Sequence, residues 1–409
     1  MIVKRLPILL LIGAACVSAQ KVHTYVGEIG TDHVTLAWGT TAGDNTIGRS
    51  SRPIGAVKVR VGTTETVVPD KNWTVVSGLT PDTEYPWELT LDGRKIGGSK
   101  IRTWPEKSDK LRFFVIGDWG SGDSAQAGIG RAMAQEMERL QGDNPVRFVI
   151  TTGDNIYGVF GFALRFSKTG DKDRDWDTKF FEPYAPLLAR IPFYASLGNH
   201  DGNETEARGD LAQYLDNFFF PSPQPARYYR FSYGGFVDFF ALDSTTNAET
   251  GPTRPAFLEN GDQSKWLQEN LKQSQAPWKV PYFHNPPFNA GPRHPAAKQD
   301  LEHWLKIFET NGVKVVFNGH EHNYQHSAVN RATGGIRYVV SGSGGELRQG
   351  DVRKVMQKAE IEGWAAVNQF LSVEIDGKEM KITPISTAPF DVVDRNRKKI
   401  QMPLSVRLP

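Results

Sequence analysis

The 409-residue sequence contains almost no cysteine. Cys16 is the only one, and it lies in an apolar stretch close to the N-terminus. The rest of the chain can form no disulfide, and it offers no thiolate as a nucleophile or a metal ligand. The protein must therefore be held together by its hydrophobic core. A hydrophobic content of 39% over this length is typical of a globular chain with room for two domains.

Long apolar runs are also missing. The longest, Leu6–Val17, is shorter than the roughly 20 residues that a membrane-spanning helix needs, so no membrane span is expected. Two basic residues precede this run and small residues follow it, which is typical of a secretory signal peptide. We predict that residues 1–19 are such a signal and that the protein is secreted, to an extracellular or periplasmic location. An uncleaved signal anchor and lipid attachment at Cys16 are the alternatives.

The sequence has no basic run or stripe. Its 48 basic and 46 acidic residues nearly balance, so nucleic acid is not expected as a specific partner. Any charge that attracts a substrate must be local to a site. Nothing in the composition indicates an oligomeric state.

Residues 20–104 have an all-β pattern. Val34–Trp38 and Val57–Val61 alternate apolar and polar residues, and turn-forming residues separate the segments. Strands at this spacing without helical periodicity predict a small β-sandwich. The segment 104–110 is rich in polar residues and is predicted to be a linker.

Residues 105–409 alternate strand-like and helix-like segments, which predicts an α/β domain. Leu111–Ile116 and Val146–Ile150 are apolar strands. Between them, Ser124–Leu140 carries apolar residues at helical spacing. A second helix is predicted over Asp300–Phe308.

Polar residues follow five of the predicted strands, four times through a glycine. The loops are Gly117-Asp118, Gly153-Asp154-Asn155-Ile156-Tyr157, Gly198-Asn199-His200-Asp201, His284-Asn285 and Gly319-His320-Glu321-His322. Each motif alone is typical of a turn. Ligands of α/β sheets bind beyond the carboxyl ends of the strands, so the set together predicts one site.

In this order the loops resemble the metallophosphoesterase superfamily, and the resemblance covers most of residues 111–345. Most of that superfamily has Asp-x-His in the first loop, whereas this chain has Asp118-Trp119-Gly120. The missing histidine is matched by Tyr157, three residues after Asp154, and this exchange resembles the purple acid phosphatases. The resemblance implies a four-layer αββα sandwich as the fold of the catalytic domain.

The N-terminal region carries a second resemblance. Gly78–Tyr85 is similar to the fibronectin type III signature, in which the tyrosine hydroxyl bonds to the backbone a few residues upstream. Leu79 would then fill the core. Such a domain also precedes the catalytic domain in larger purple acid phosphatases.

The resemblance further implies two metal ions that share Asp154. One ion would be completed by Asp118, Tyr157 and His322, and the other by Asn199, His284 and His320. The first set offers hard anionic oxygens, which suit Fe(III), and the second set suits a divalent ion such as Zn, Fe or Mn.

The implied activity is that of an acid phosphatase, in which a metal-held hydroxide attacks a small phosphate monoester. His200 is the first candidate to protonate the leaving group, and Asp201 would orient its ring. His294, ten residues after His284, is the second candidate. The alternatives are a phosphodiesterase or nucleotide hydrolase on the same metals, and a cell-surface binding module that uses the fibronectin-like domain.

Predictions for residues outside this set concern their position in the fold. His23, His33 and His303 are expected to be exposed, and His326, which follows the metal loop, could support a metal ligand from behind. The stretch 342–345, which contains three glycines, either closes on the site or forms a plain turn.

Overall fold

The computed structural model describes residues 21–40, 49, 51–157, 176–201, 211–221, 226–245 and 257–409. The predicted signal segment lies outside these residues. Within the described ranges, no helix combines the length and the apolar character needed to cross a bilayer.

The N-terminal region forms a sandwich of two antiparallel sheets. Its strands are β1 (His23–Ile29), β2 (His33–Gly39), β3 (Val57–Val61), β4 (Thr64–Val68), β5 (Trp73–Ser77), β6 (Glu84–Leu91) and β7 (Arg94–Arg102). One sheet has the order β1-β2-β5 and the other β4-β3-β6-β7. The alternation in β3 is explained by this packing, because its valines are buried between the sheets while Lys58 and Arg60 are exposed.

The fibronectin-like corner has the expected geometry. The backbone N–H of Thr80 donates to the Tyr85 hydroxyl at 2.9 Å, and Leu79 is buried in the core. The predicted β-sandwich is therefore confirmed.

The remaining chain forms two larger mixed sheets with helices. The strands are β8 (Lys110–Ile116), β9 (Val146–Thr151), β10 (Phe193–Ala195), β11 (Tyr229–Tyr233), β12 (Val237–Ala241), β13 (Trp278–Tyr282), β14 (Val315–Asn318), β15 (Tyr324–Ser327), β16 (Arg337–Ser341), β17 (Ile361–Ala365), β18 (Phe370–Asp376), β19 (Glu379–Ile385) and β20 (Leu404–Arg407). The helices are α1 (Ser124–Arg139), α2 (Glu182–Leu188), α3 (Ala212–Asn217), α4 (Asp262–Gln273) and α5 (Glu302–Thr310). The sheet orders are β10-β9-β8-β18-β19-β20 and β11-β12-β13-β14-β16-β15-β17.

Aromatic side chains fill the space between the two sheets. Phe113 of β8 meets Phe239 of β12 edge to face, with ring centroids 5.1 Å apart. The next residue, Phe240, points to the opposite side of its sheet and joins the core under α4 and α5. Helices α1 and α2 pack against the first sheet. The layers therefore follow the predicted order αββα.

Helix boundaries differ slightly from the predictions. Helix α1 begins after Asp123, whose carboxylate accepts the N–H of Gln126 as an N-cap, and it ends one residue earlier than expected. Helix α5 spans Glu302–Thr310 instead of Asp300–Phe308, because its first turn starts only after Leu301.

The first residue of the predicted linker is packed into the structure, whereas Glu106, Lys107 and Asp109 are exposed. Trp104 is buried, and its ring contacts Phe148, Tyr194 and Tyr233 of the catalytic part. Trp87 of the sandwich also donates its indole N–H to the carbonyl of Ala189 at 2.9 Å. The two regions thus share a tightly packed boundary, and the division at residue 104 stays a prediction.

The prediction that His23 is exposed is wrong. Its side chain is buried, its ring stacks on Phe181, and its Nε2 lies 2.6 Å from Asp177 Oδ1. The polar partner is 154 residues away in the chain, so no local pattern could reveal it.

Candidate metal centre

Five loops converge because of the sheet topology. Strands β8, β9 and β10 are parallel neighbours in one sheet, and β13 and β14 are parallel neighbours in the other. The carboxyl ends of parallel strands meet at one edge of a sheet. The residues that follow these strands therefore gather at one end of the sandwich, as the sequence predicts.

The backbone is strained at three of the gathered positions. Asp118, Asp154 and His320 have φ angles of 53°, 48° and 71°, in the left-handed region that residues with a side chain seldom adopt. Such strain is concentrated at functional sites. Neighbouring glycines leave the space that these backbone conformations need. A Cβ on Gly198 would lie 2.1 Å from the backbone nitrogen of Asp154, so only glycine fits there.

One group of donor atoms consists of Asp118, Tyr157 and His322. The Tyr157 hydroxyl lies 3.3 Å from Asp118 Oδ1 and 3.2 Å from His322 Nε2. The His322 nitrogen is also 3.3 Å from the same carboxylate oxygen. All three side chains are buried. Burial, together with the negative charge of Asp118, raises the pKa of Tyr157 above its usual range.

A second group consists of Asn199, His284 and His320. His284 Nε2 lies 3.0 Å from Asn199 Oδ1 and 3.1 Å from His320 Nδ1. The other ring nitrogen of His284 is 2.8 Å from the carbonyl oxygen of Thr152. That carbonyl accepts the Nδ1 proton and leaves an Nε2 lone pair facing the group, an arrangement typical of metal-ligating histidines.

Asp154 lies between the two groups. One of its carboxylate oxygens is 3.3 Å from His284 Nε2, and the other accepts the backbone N–H of His200 at 2.8 Å. Ligand atoms of Asp118, Asp154 and His284 all lie within 4.8 Å of one another. The structure therefore brings all seven predicted ligand positions together.

Burial and the neighbouring charges shift the pKa values of Asp154 and His284 in opposite directions. Burial disfavours the charged form of Asp154, but the imidazoles of His284 and His200 hold the pKa of that carboxyl below its ordinary value. Burial also disfavours protonated His284, yet the carboxylates of Asp154 and Asp118 raise its pKa to about 9. Burial and the neighbouring imidazoles lower the pKa of His320 to about 2. The carboxylates therefore require a positive charge, which a metal ion can supply in place of the proton.

His200 and Asp201 lie beside the cluster. The His200 ring is tilted against the Tyr157 ring at a centroid distance of 4.6 Å. Asp201 is buried, and its carboxylate accepts N–H groups from Asn155, Ile156 and Gly198. Burial and the charge of Asp154 raise the pKa of Asp201 to about 8. The role of Asp201 in orienting His200 stays a prediction. Its hydrogen bonds to the loops that follow β9 and β10 are seen in the structure.

His294 reaches the cluster. Its ring stacks on His320 with centroids 3.8 Å apart, and its Nδ1 lies 3.0 Å from the His320 carbonyl oxygen. Two residues beside it were missed by the sequence analysis. Glu321 is fully buried and accepts the backbone N–H of His294 at 2.9 Å, and Arg348 Nη1 lies 3.0 Å from His294 Nδ1. The only signal for Glu321 was its place between the two histidines of the loop.

The stretch 342–345 does close on the site. The N–H of Gly345 donates to the carbonyl of Asp118 at 3.0 Å, and a Cβ on Gly342 would lie 2.3 Å from the carbonyl oxygen of Glu321. Arg348 lies three residues after the end of this stretch.

Two further histidines differ from the predictions. His303, expected to be exposed, is half-buried and lies 3.1 Å from Ser264 Oγ. His326, considered as a support for a metal ligand, instead contacts a residue outside the predicted ligand set. It is fully buried with its Nδ1 at 3.2 Å from the Tyr324 hydroxyl. His33 is partly exposed and lies 2.8 Å from Asp32.

Comparison with known proteins identifies similar chains. Residues 111–324 match the family described as Calcineurin-like phosphoesterase. Purple acid phosphatase 17 of Arabidopsis thaliana is 27% identical over 274 residues, covering 61% of this chain and 73% of that protein. Human tartrate-resistant acid phosphatase type 5 is 27% identical over 307 residues, covering 68% of this chain and 88% of that protein.

Two solved structures share the fold. Purple acid phosphatase PPD1 from yellow lupin seeds has a TM-score of 0.66 at 14% identity, covering 94% of this chain and 74% of its own. PhoD has a TM-score of 0.66 at 15% identity, covering 93% of this chain and 92% of its own. The resemblance to purple acid phosphatases inferred from the sequence is confirmed.

Proposed function

This chain belongs to the calcineurin-like phosphoesterase family, and we propose that it is a purple-acid-type phosphatase that hydrolyses phosphate monoesters at a two-metal centre. The observation that carries this proposal is that glycine stands at position 120, where most of the superfamily has histidine, and that Tyr157 lies at the site instead. A Cβ on Gly120 would lie 2.0 Å from the carbonyl oxygen of Asn155, so the backbone leaves no room for the histidine that most of the superfamily has there. The Tyr157 hydroxyl lies beside Asp118 and His322 instead.

The side chains fit two metal ions of different character. Asp118, Tyr157 and His322, with a shared Asp154, provide mostly hard oxygens and would hold Fe(III). The second set, Asn199, His284 and His320 with the same shared carboxylate, would hold a divalent ion such as Zn, Fe or Mn. The convergence of the donor atoms at 3.0–3.3 Å supports the grouping of these residues into two sets of ligands. When bound, such a metal pair would supply positive charge to the phosphoryl group and make water acidic enough to act as the nucleophile.

Side chains of the protein would protonate the leaving group and border the substrate. His200 follows Asn199 directly, so it lies next to the position where an ester would bind, and it is our candidate for protonating the leaving oxygen. Asp201 holds the two loops that carry Asp154 and Asn199 in place. His294 covers His320 and borders the substrate side of the cluster.

We further propose that the enzyme is secreted and acts on small phosphorylated molecules. The signal-like N-terminus supports export. The close packing of Trp104 and Trp87 against the catalytic part favours a scaffold role for the fibronectin-like sandwich over an independent binding role.

The proposed activity is tested with a pair of esters. The purified, metal-loaded chain should hydrolyse 4-nitrophenyl phosphate with a higher kcat/KM than bis(4-nitrophenyl) phosphate. A preference for the diester would favour the phosphodiesterase alternative, and hydrolysis of neither would refute the proposal.

The role of His200 is tested in the same assay. His200→Ala should lower kcat by about 100-fold or more, the usual contribution of a general acid, while the metal content stays unchanged. His33→Ala, in the N-terminal sandwich, is the control and should leave kcat unchanged. Loss of metal in His200→Ala would contradict the acid role.

A further inference from the structure

A fixed positive charge borders the metal cluster. The backbone N–H of Arg348 donates to the carbonyl of His322 at 2.9 Å, which anchors this residue to the metal loop. Its Nη1 lies 3.0 and 3.3 Å from the two ring nitrogens of His294. His294 in turn stacks on His320. The guanidinium therefore lies next to a ring that itself covers one of the predicted ligands.

A buried carboxylate holds this arginine in place. Glu321 is fully buried, and its Oε1 has no hydrogen-bond partner among the described residues. Arg348 Nη1 lies 3.7 Å from that oxygen. A buried carboxylate without a compensating charge is strongly unfavourable, so Glu321 favours a cation at this position. Arginine keeps its charge at all relevant pH values.

The guanidinium retains unused donors. Among the described residues, only Nη1 of Arg348 has partners, and the side chain is 18% exposed. The Nε and Nη2 donors therefore remain for a ligand. The planar guanidinium fork matches the oxygens of a carboxylate or a phosphate.

An open pocket lies beside the residues that follow Arg348 in the chain. It has a volume of about 440 Å³ and is lined by residues that include Gln349, Arg353, Trp364 and Arg397. Gly350, also in the lining, packs so closely against the loop of His294 that a Cβ would lie 2.9 Å from Pro292 Cγ. Arg353 is paired with Asp351, while Arg397 is exposed. The pocket is thus suited to an anionic organic group.

We propose that Arg348 is a specificity-determining residue that binds an anionic group on the leaving group. The site would then favour phosphoesters and phosphoanhydrides whose leaving group carries a carboxylate or a second phosphate. The reaction is otherwise that of any phosphatase. A water oxygen bonds to phosphorus, the bond from phosphorus to the leaving oxygen breaks, and the proton lost by water passes to that oxygen. This inference rests on the proposed function and extends it to a substrate class.

The test compares two esters that differ in one charge, 4-carboxyphenyl phosphate and 4-carbamoylphenyl phosphate. Arg348→Met should lower kcat/KM for the carboxylate ester by about ten-fold or more, because a charge-assisted pair is lost. For the amide ester the loss should be less than about three-fold. Arg348→Lys should retain part of the preference, and Arg407→Met, an exposed arginine on β20, should change neither rate. Pyrophosphate replaces the carboxylate ester in a second arm, which distinguishes a phosphate from a carboxylate as the preferred anion.

Two readouts separate recognition from a merely structural role. The preference of the unmodified protein should shrink as ionic strength rises, since a partly exposed charge pair is screened by salt. Titration calorimetry with 4-carboxybenzylphosphonate and its carbamoyl analogue should show the same loss of preference in Arg348→Met. Equal losses for both esters, or no loss in either arm, would overturn the inference. If the unmodified protein hydrolyses no ester, the proposed function fails, and the two phosphonates still test Arg348 by binding.

Discussion

The carboxylate of Asp201 provides the sharpest test of how the metal loops are held. It accepts the N–H groups of Asn155 and Gly198 at 2.9 and 2.7 Å, the amide of Asn155 at 2.8 Å and the N–H of Ile156 at 3.3 Å. These bonds join the loop that follows β9 to the loop that follows β10. In Asp201→Asn, the shape is kept, but one oxygen becomes an NH2 group that faces two N–H donors.

The expected cost follows from these contacts. At least two hydrogen bonds to this buried acceptor are lost, and each buried N–H group left without a partner costs about 1–3 kcal/mol. Asp201 is only 2% exposed, so water cannot readily replace them. We expect the free energy of unfolding of the metal-free protein to fall by about 2 kcal/mol or more, which lowers the melting temperature by roughly 2 °C or more in a chain of this size.

The assay is thermal unfolding of the metal-free protein, followed by metal analysis after reconstitution. Asp376→Asn is the matched control, because Asp376 is exposed and, within the described part of the chain, its carboxylate has one surface ion pair, with Lys110 at 3.6 Å. Its cost should be within about 1 kcal/mol. A loss in Asp201→Asn no larger than that of the control would refute the reasoning that Asp201 stabilises the two loops.

Two further predictions concern buried rings. Burial and the charge of Arg337 lower the pKa of His326 to about 3, so the folded state binds fewer protons than the unfolded state between about pH 6.5 and 3. Stability should therefore be lost as pH falls through that range, by up to about 1.4 kcal/mol per pH unit. In urea titrations, His326→Asn should have a flatter pH dependence, and an unchanged slope would contradict this. If the purified protein has a visible absorption band, Tyr157→Phe should abolish it while both metals remain bound. A band that persists would exclude Tyr157 as the source.

The metal loops could be predicted because each one is local. A buried strand followed by glycine and a polar residue is recognisable within about six residues, and the sheet topology then brings the loops together. The exchange of a histidine at 120 for Tyr157 was visible in the same way. The structure adds the physical reason, which is the close approach of Gly120 to the backbone of Asn155.

Residues whose environment depends on distant partners could not be predicted. His23 is buried against Asp177, and Arg348 is held by Glu321 and His294 from other loops. In a sequence, such an arginine cannot be distinguished from one in solvent. The burial of Trp104 at the start of the predicted linker could not be predicted for the same reason, since the aromatic residues that surround it come from three different strands.

The measurement that tests the central claim most directly is the metal-to-protein ratio of the purified chain and of Asp154→Asn. Asp154 lies between the two groups of donor atoms, and an amide cannot bridge two cations as a carboxylate does. We predict about two metal ions per chain in the unmodified protein, as in other two-metal phosphatases, and about one or fewer in the variant. Two ions retained in Asp154→Asn, or a single ion in the unmodified protein, would contradict the shared two-metal centre.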